Sequence, residues 1–401
     1  MKKISRLTAL TGFSVITLTR AALIVALVSS AVPEAMAQVS PPAPRSITIE
    51  RTFDKGALPA EDIQIWQEES GGYDTTNAGL YGRNTWLCTS SDDALHGKCP
   101  TKASWNSVTG QTTIPLTFIE KRSGMRVDLD VLAYKIRLVD YPDLGCYSKQ
   151  ADPMMIDGAT ELNFVDGCVS ETGSLTNETT LTAWLPASEL KKIPVGGIWQ
   201  ADLHLILTQW DPYMPLADWT AHFNLKMTDS GHIDIYFPAF ATTSPLMELN
   251  LHPHGAPDGN AWASDYTILD MCLYDGYNVN SDSYDVNFEQ TASDGRTDGL
   301  FSVYRDGGNK DAADERIDFH LKMKSPETGE MLDIENAKTL TWNQINTGTV
   351  RPVRIPSIPY AVLCAPSPLL FVVDKFDVKT KAAGHYSGVI TVTFNPHLPT
   401  I

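Results

Sequence analysis

Short strand-like runs separated by turn residues dominate the sequence after its first 37 residues and limit the folds that the chain can adopt. In TTIPLTFIE (112–120), ADLHLILTQW (201–210) and RIDFHLKM (316–323), apolar side chains recur at every second position, as on a strand with one buried face. Glycine, proline, asparagine and aspartate separate these runs, and helical periodicity is scarce. The pattern predicts an all-β chain made of sandwiches or barrels rather than β-α-β units.

A further strand-like run, at residues 382–394, raises the question of which segment pairs with its edge. In AAGHYSGVITVTF (382–394) β-branched residues fall on both faces of the predicted strand, and Gly388 before it permits a close backbone approach. The residues that follow, NPHLPTI, are not expected to form another strand. An open edge of this kind can pair with another chain, which natural proteins usually prevent.

The first 37 residues are predicted to be a signal peptide. Lys2 and Lys3 give a basic start, Ala21–Ala31 is an apolar stretch, and Ala35-Met36-Ala37 fits a small-x-small cleavage site. The apolar stretch is shorter than the ~20 residues that span a bilayer. We therefore expect an exported, soluble protein that starts at Gln38.

The predicted mature chain is strongly acidic. Without the five charged residues of the signal peptide, 27 of the 31 basic and 47 of the 48 acidic residues remain, a net charge of −20. A nucleic-acid partner would require a basic surface, so we expect none. The same charge disfavours polyanionic ligands unless a local basic patch overrides it.

The cysteines indicate disulfide bonds. All six lie in the predicted mature chain, and an even number in an exported protein favours pairing. Their spacing favours the bridges Cys88–Cys99, Cys146–Cys168 and Cys272–Cys364, the last as a staple across a sandwich, although other pairings remain open. A C-x2-C spacing, typical of zinc sites, does not occur in the sequence.

A catalytic motif is not evident. The sequence contains no G-x-S-x-G elbow, no H-E-x-x-H and no phosphate-binding loop. The acidic loops at 281–299 and 306–315 do not match the spacing of an EF-hand, so no metal or other cofactor is predicted. Two carboxylates placed for glycoside hydrolysis would not show in sequence. A secreted β-sandwich glycosidase or carbohydrate-binding protein therefore stands as the alternative function.

An ordered set of motifs carries a family resemblance. The motifs are LYGRNTWLC (80–88), TFIEKRSG (117–124), LPASELKKIPVGGIW (185–199), DMCLYDGYNVNS (270–281), PYAVLCAPSPL (359–369) and AGHYSGVITVTFNP (383–396). In this order, with all six cysteines, they resemble the tip adhesins of class 5 fimbriae, which are the initiator subunits of the colonisation factor antigen I and cable pilus group (CblD-like initiators).

The resemblance implies two immunoglobulin-like sandwiches and no enzymatic activity. It divides the chain into a signal peptide (1–37), an adhesin domain (38–229), a short linker (230–232) and a pilin domain (233–401). The pilin domain would lack its last strand. A periplasmic chaperone would fill the gap first, and a donor strand of the major pilin would replace it at the outer-membrane usher, which is donor-strand complementation.

This implied assembly would answer the question of the open edge. The final strand would border a groove for the donor strand, and the protein would be displayed at the tip of a surface fimbria. The apolar residues expected to line the groove are Ile233, Ile235, Phe237, Ile390, Val392 and Phe394. An ordinary strand paired within its own sheet remains the alternative for residues 382–394.

The resemblance also implies a receptor site in the adhesin domain, for a host receptor that could be a glycan. Arg83 matches one arginine of the family's site, but Thr208-Gln209-Trp210 stands where the family has an arginine pair. We therefore predict Arg83, Gln209 and Trp210 as receptor-binding residues. Most other tryptophans of this domain are expected in the core. The run SITIERTF (46–53) is expected to be the domain's first strand.

Overall fold

The structure, a computed structural model, describes residues 39–74, 80–105, 109–141, 146–149, 153–159, 178–210, 212–240, 242–255, 261–290 and 298–400. Within these ranges the regular structure consists of β-strands and short 3-10 helices, which agrees with the all-β prediction. No helix of the described chain is long and apolar enough to cross a membrane. The 3-10 helices are Ala187–Lys192, Ser230–His232, Ala313–Glu315, Ile345–Thr347 and Val378–Thr380.

The first half of the described chain folds into one large sheet and a small two-stranded one. Its strands are β1 (Val39–Ser40), β2 (Arg45–Asp54), β3 (Ile63–Asp74), β4 (Thr85–Cys88), β5 (Ser104–Trp105), β6 (Thr112–Glu120), β7 (Arg126–Tyr141), β8 (Cys146–Lys149), β9 (Gly158–Ala159), β10 (Glu178–Leu185), β11 (Gly197–Gln209) and β12 (Met214–Thr228). The large sheet has the order β1-β3-β10-β7-β6-β11-β12-β2, with β4 on β11 and β8 on β7.

Strand β2 contains the run SITIERTF and pairs with β12. It is the second strand of this half rather than the first, because the two-residue β1 precedes it. The pairing is parallel, whereas β11 and β12 form a long antiparallel hairpin. The inward side chains of the sheet form a core in which Trp219 makes edge-on contacts with Trp66 and Trp86, with ring centroids 5.4 and 5.2 Å apart. The alternating strands thus bury one face of the sheet, as their period of two predicts.

The second half consists of shorter strands arranged in three sheets. They are β13 (Asp234–Tyr236), β14 (Trp262–Leu269), β15 (Cys272–Tyr274), β16 (Ser283–Glu289), β17 (Phe301–Arg305), β18 (Arg316–Lys324), β19 (Met331–Ile334), β20 (Thr339–Asn343), β21 (Arg351–Val353), β22 (Val362–Pro366), β23 (Leu369–Asp377), β24 (Tyr386–Ser387) and β25 (Thr391–Pro396). The sheets run β13-β15-β22-β21, β14-β23-β18-β17-β24 with β19 on β18, and β20-β16-β25.

The predicted final strand is two strands in the structure. Tyr386 and Ser387 pair with β17, while Thr391–Pro396 pairs with β16 in a different sheet. The chain crosses from one sheet to the other at Gly388, where an added Cβ would lie 2.8 Å from the carbonyl oxygen of Ser302. Among the described residues, no strand pairs with the outer edge of β25.

Disulfides fix parts of both halves. Cys88 is bonded to Cys99, and Cys272 is bonded to Cys364, as predicted. The second bond does not cross a sandwich, because its cysteines lie on β15 and β22, which are hydrogen-bonded neighbours in one sheet. Strand pairing places them close together although they are 92 residues apart. The predicted Cys146–Cys168 bridge lies outside the described residues.

The two halves share an apolar core and polar contacts. The core of the large sheet also includes Cys272, Tyr274, Ile355, Ile358, Val362 and Cys364 of the second half. Arg122, in the turn between β6 and β7, donates hydrogen bonds to the carbonyl oxygens of Val279 (2.6 Å), Ile345 (3.1 Å) and Gly348 (2.8 Å). The backbone between the halves runs from Thr228 through the 3-10 helix at 230–232 into β13.

Candidate receptor and strand-binding sites

An apolar cavity of about 700 Å³ opens beside β25. All six residues predicted for the donor-strand groove line it: Ile233, Ile235, Phe237, Ile390, Val392 and Phe394. Its floor is formed by core side chains of the second half, among them Phe288, Phe319, Leu321, Leu369 and Phe371. We call this cavity the groove. It contains a few polar groups, including the Asp234 carboxyl, whose pKa burial raises.

One wall of the groove is β25 and the crossing segment before it. Ile390, Val392 and Phe394 pack against the core but are only partly buried, while Thr391 and Thr393 between them are exposed. This alternation follows from the period of a strand whose inner face borders an open space. The apolar face of β25 is therefore covered from below by the core and remains accessible from the groove.

The opposite wall is a segment that the sequence analysis did not assign. Residues 243–247 and Leu249 line the groove, and Met247, Leu249 and Leu251 pack partly buried against the core. Side chains between them, such as Glu248 and Asn250, are exposed. The segment belongs to no sheet of the described chain. Its alternating pattern, PLMELNL, is the signal that could have identified it.

The lips of the groove are apolar as well. Leu246 on one wall and Val389 on the other are each 79% exposed, more than any other large hydrophobic side chain in the described part of the chain. Large aliphatic side chains in this position expose costly apolar surface to water. Both lips thus add to the surface that a strand lying in the groove would cover.

The groove continues into a polar cavity of about 740 Å³ at the end near Gly388. Gln290, Gly388 and Val389 line both spaces. The side chain of Gln290 donates to the carbonyl oxygen of Ser302 and accepts from its backbone N–H, at 2.7 Å each. Charged residues of the polar cavity include Glu289, Arg305, Asp306 and Lys310. The apolar groove therefore has one charged end.

A second site lies in the first half, where two of the three predicted receptor residues come together. The guanidinium of Arg83 lies over the ring of Trp105, 5.1 Å from its centroid, and the Trp105 ring is 6.1 Å from that of Trp210. Trp105 is 52% exposed, unlike the buried Trp199 and Trp219. We call Arg83, Trp105 and Trp210 the aromatic patch.

Strand pairing explains how the aromatic patch forms. Arg83 precedes β4, and β4 pairs with the end of β11, after which Trp210 follows directly. Trp105 ends β5, which pairs with β9. Tyr213, just before β12, and Met214, the first residue of β12, are also exposed. Gln209, in contrast, is only 6% exposed, so its side chain is not presented at this surface.

Buried polar groups support the patch from below. The fully buried ammonium of Lys135 donates to the carbonyl oxygen of Asn84, next to Arg83, at 3.2 Å. Ser104, next to Trp105, donates to the carboxylate of Asp157 at 3.2 Å. The pKa of Lys135 is lowered to about 7, chiefly by burial and also by the nearby Arg137, while Asp157 acts in the opposite direction. These bonds fix the backbone beside two patch residues.

The fold and the groove define a class of protein. Two disulfide-bonded β-sandwiches in tandem, the second with an open apolar groove along its last strand, are typical of a fimbrial subunit that takes up a strand from another chain. Comparison with known families agrees with this class. Residues 34–230 match the first domain of the CFA/I fimbrial protein CfaE, and residues 233–398 match its second domain.

Individual relatives point to the same family. The chain is 33% identical over 330 residues to the CFA/I fimbrial protein CfaE of Escherichia coli, covering 80% of this chain and 82% of that protein. The crystal structure of CfaE, the adhesive subunit of the CFA/I fimbria of enterotoxigenic E. coli, superimposes with a TM-score of 0.74 at 26% identity, covering 89% of this chain and 94% of that one. The chain belongs to the CfaE family of CFA/I fimbrial proteins.

A solved complex adds a partner for a relative. The chain matches the tip adhesin structure described in a chaperone–tip adhesin complex of CFA/I fimbriae biogenesis, with a TM-score of 0.60 at 26% identity. The match covers 88% of this chain and 97% of that one. The relatives named in these comparisons are therefore fimbrial adhesin subunits.

Proposed function

We propose that this protein is the tip adhesin of a surface fimbria and the subunit from which that fimbria is assembled. The observation that carries the proposal is the groove beside β25, which combines an apolar floor and two apolar lips with an edge that no strand of the described chain pairs with. An extended peptide in this space would pair with the backbone of β25 and insert alternate side chains among the core residues.

In this proposal two partners occupy the groove in succession. A periplasmic chaperone would supply a strand during export, and the N-terminal strand of the major pilin would replace it when the outer-membrane usher assembles the fimbria. A relative solved in a chaperone–tip adhesin complex supports the first step. The division into an adhesin domain (38–229), a linker (230–232) and a pilin domain (233–401) belongs to this proposal.

In this proposal the adhesin domain binds a host receptor, and the protein has no catalytic role. The similarity to an adhesive subunit supports both statements. The aromatic patch is the proposed receptor site, because it brings the exposed Trp105 together with the partly exposed Arg83 and Trp210 from distant parts of the chain. Gln209 would act indirectly, by packing at the end of β11 behind Trp210.

Thermal unfolding of residues 38–401 tests the groove. The probe, called the donor peptide below, is a synthetic peptide that copies the N-terminal strand of the major pilin of the same fimbria, with a scrambled peptide as control. A peptide at a hundredfold excess over its Kd should raise Tm by about 5–10 °C, because binding to the folded state alone stabilises it. A monomeric protein whose Tm does not respond to the peptide would contradict the proposal.

A matched pair of variants tests whether the peptide binds along β25. Val392→Asp puts a carboxylate on the inner face of β25, and Thr393→Asp puts one on the exposed face of the same strand. We expect the first variant to lose the rise in Tm and the second to keep it, because a carboxylate buried under the peptide would be desolvated. Equal responses from both variants would exclude β25 as the binding edge.

A further inference from the structure

We propose that the polar cavity at the end of the groove fixes the register of the donor strand by taking up a basic side chain that follows the strand's apolar residues. This inference rests on the proposed function, since it names a side chain that the partner of the same groove carries. The polar cavity shares Gln290, Gly388 and Val389 with the groove, so a peptide that lies along β25 continues into it. The groove is lined mainly by apolar side chains, and the cavity mainly by charged and polar ones.

The apolar groove alone would accept a donor strand in more than one register. A strand with alternating apolar residues keeps its apolar face inward when it slides by two residues, and the groove offers it aliphatic and aromatic contacts throughout. The border with the polar cavity removes this freedom. Sliding toward Gly388 would carry an apolar side chain into the cavity, where polar groups would lose water without gaining a partner.

The direction of β25 determines which end of the donor strand reaches the polar cavity. β25 begins at Thr391, which lines the cavity, and runs away from it to Pro396. An antiparallel strand, which pairs slightly more stably than a parallel one, would run toward the cavity and reach it with its C-terminal end. Because inward-facing side chains alternate along a strand, the basic residue is expected two positions after the last inward-facing apolar residue.

Both cations that line the polar cavity are already engaged. The Arg305 guanidinium is paired with the Glu315 carboxylate. The Lys310 ammonium lies 5.6 Å from the centroid of the Tyr304 ring. A carboxylate on the donor strand would compete with Glu315 for the first cation and with the aromatic ring for the second. An acidic donor residue is therefore disfavoured.

The carboxylates of the polar cavity, in contrast, can accept further hydrogen bonds. Glu289 lies opposite Thr391, is exposed, and within the described chain makes neither a side-chain hydrogen bond nor an ion pair. Asp306 accepts one bond on each oxygen, from the Ser387 hydroxyl (2.6 Å) and from Nδ1–H of His385 (2.8 Å). These bonds hold the pKa of the Asp306 carboxyl below its usual value, so it is charged at neutral pH. A carboxylate has about four lone-pair sites, so both groups have acceptor capacity left for an ammonium or guanidinium.

Peptide variants test the partner's side of this contact. The donor peptide is prepared with lysine, glutamate or leucine two positions after its last inward-facing apolar residue, and its Kd for residues 38–401 is measured by isothermal titration calorimetry. We expect the lysine peptide to bind about tenfold or more tightly than the other two. The same replacements at the N-terminal end of the peptide should change Kd less than about threefold, because that end lies away from the cavity.

A matched pair of protein variants tests Glu289. Glu289→Lys reverses one charge at the polar cavity, and Glu330→Lys makes the same change at an exposed position that borders neither the cavity nor the groove. We expect Glu289→Lys to bind the glutamate peptide more tightly than the lysine peptide. Glu330→Lys should keep the order of the wild type, which separates a local contact from the change in net charge.

Disulfide trapping measures the register itself. Thr393→Cys places a thiol on the exposed face of β25, and the donor peptide carries a cysteine at one of several successive positions. Only cysteines that pairing brings close together can form the bond. With the lysine peptide, one position should form most of the crosslink. With the leucine peptide, the crosslink should shift by two positions, because the leucine would remain in the apolar groove.

Four results would overturn the inference: equal binding of the three peptides, tightest binding of the glutamate peptide by the wild type, an unchanged order in Glu289→Lys, or identical crosslinks for the lysine and leucine peptides. A donor peptide that binds without these preferences still supports the tip-subunit role. Absence of any response to the donor peptide contradicts that role and the inference together.

Discussion

Removal of the Arg122 side chain should uncouple the two halves of the protein. Its guanidinium, partly buried at their junction, donates to three carbonyl oxygens of the second half, those of Val279, Ile345 and Gly348. Burial partly desolvates the charge of Arg122 and thereby lowers its pKa. The three hydrogen bonds replace hydrogen bonds to water that the guanidinium has lost on burial.

The expected loss in the free energy of unfolding follows from the number of hydrogen bonds that Arg122 donates. A hydrogen bond contributes about 1 kcal/mol net, and one to a charged group somewhat more, so Arg122→Ala should lower the free energy of unfolding by about 3–4 kcal/mol. Neighbouring contacts between the halves persist in the variant, such as the bond of 3.0 Å from the Asn280 amide to the Glu120 carboxylate. The variant should therefore still fold.

Differential scanning calorimetry of residues 38–401 with the donor peptide bound measures this effect. The wild type should unfold in one main transition, because the apolar core continues across the junction. Arg122→Ala should show a lower first transition and a separate second one. The control is Arg126→Ala, since Arg126 is exposed at the start of β7. If both variants unfold like the wild type, Arg122 does not couple the halves.

Three further predictions concern buried groups and backbone crossings. The pKa of Lys135 is lowered to about 7 in the folded protein, so above that pH the unfolded chain binds more protons than the folded one. The free energy of unfolding, measured by urea titration, should therefore rise by about 1–2 kcal/mol from pH 7 to 8.5 in the wild type but not in Lys135→Met. Replacing both Cys272 and Cys364 by serine should cost about 4–5 kcal/mol in the same assay, since the bond closes a loop across 92 positions of sequence; a loss under about 1 kcal/mol would contradict this. Gly388→Ala should lower Tm and weaken the donor-peptide response, because its Cβ would meet a carbonyl oxygen of β17 at 2.8 Å, whereas Gly231→Ala, with open space around it, should change neither.

The sequence predicted the inner face of the final strand because a strand has a period of two. Val392 and Phe394 follow from that alternation once one face is known to be buried, and the structure places both in the groove. The opposite wall at 243–249 was missed because it pairs with no strand of the described chain. A segment stabilised by packing alone resembles a loop in sequence, apart from the spacing of Met247, Leu249 and Leu251.

The same period explains why Gln209 is not at the surface. Leu203, Leu205 and Leu207 of β11 are buried, and Gln209 continues their row. Its position could thus have been predicted from sequence. The exposure of Trp105 could not, because it depends on the pairing of β5 with β9 about fifty residues further along the chain. Contacts between segments that distant are set by the whole fold.

The parallel pairing of β2 with β12 has a mechanical consequence. Strand β12 begins at Met214, next to the aromatic patch, and ends at Thr228, just before the second half, so its 15 residues connect the two over ~50 Å. A pull between a receptor held at the patch and a fimbria anchored in the groove would act along this strand. Its hydrogen bonds to β11 on one side and β2 on the other would then be loaded together in shear, rather than broken one at a time.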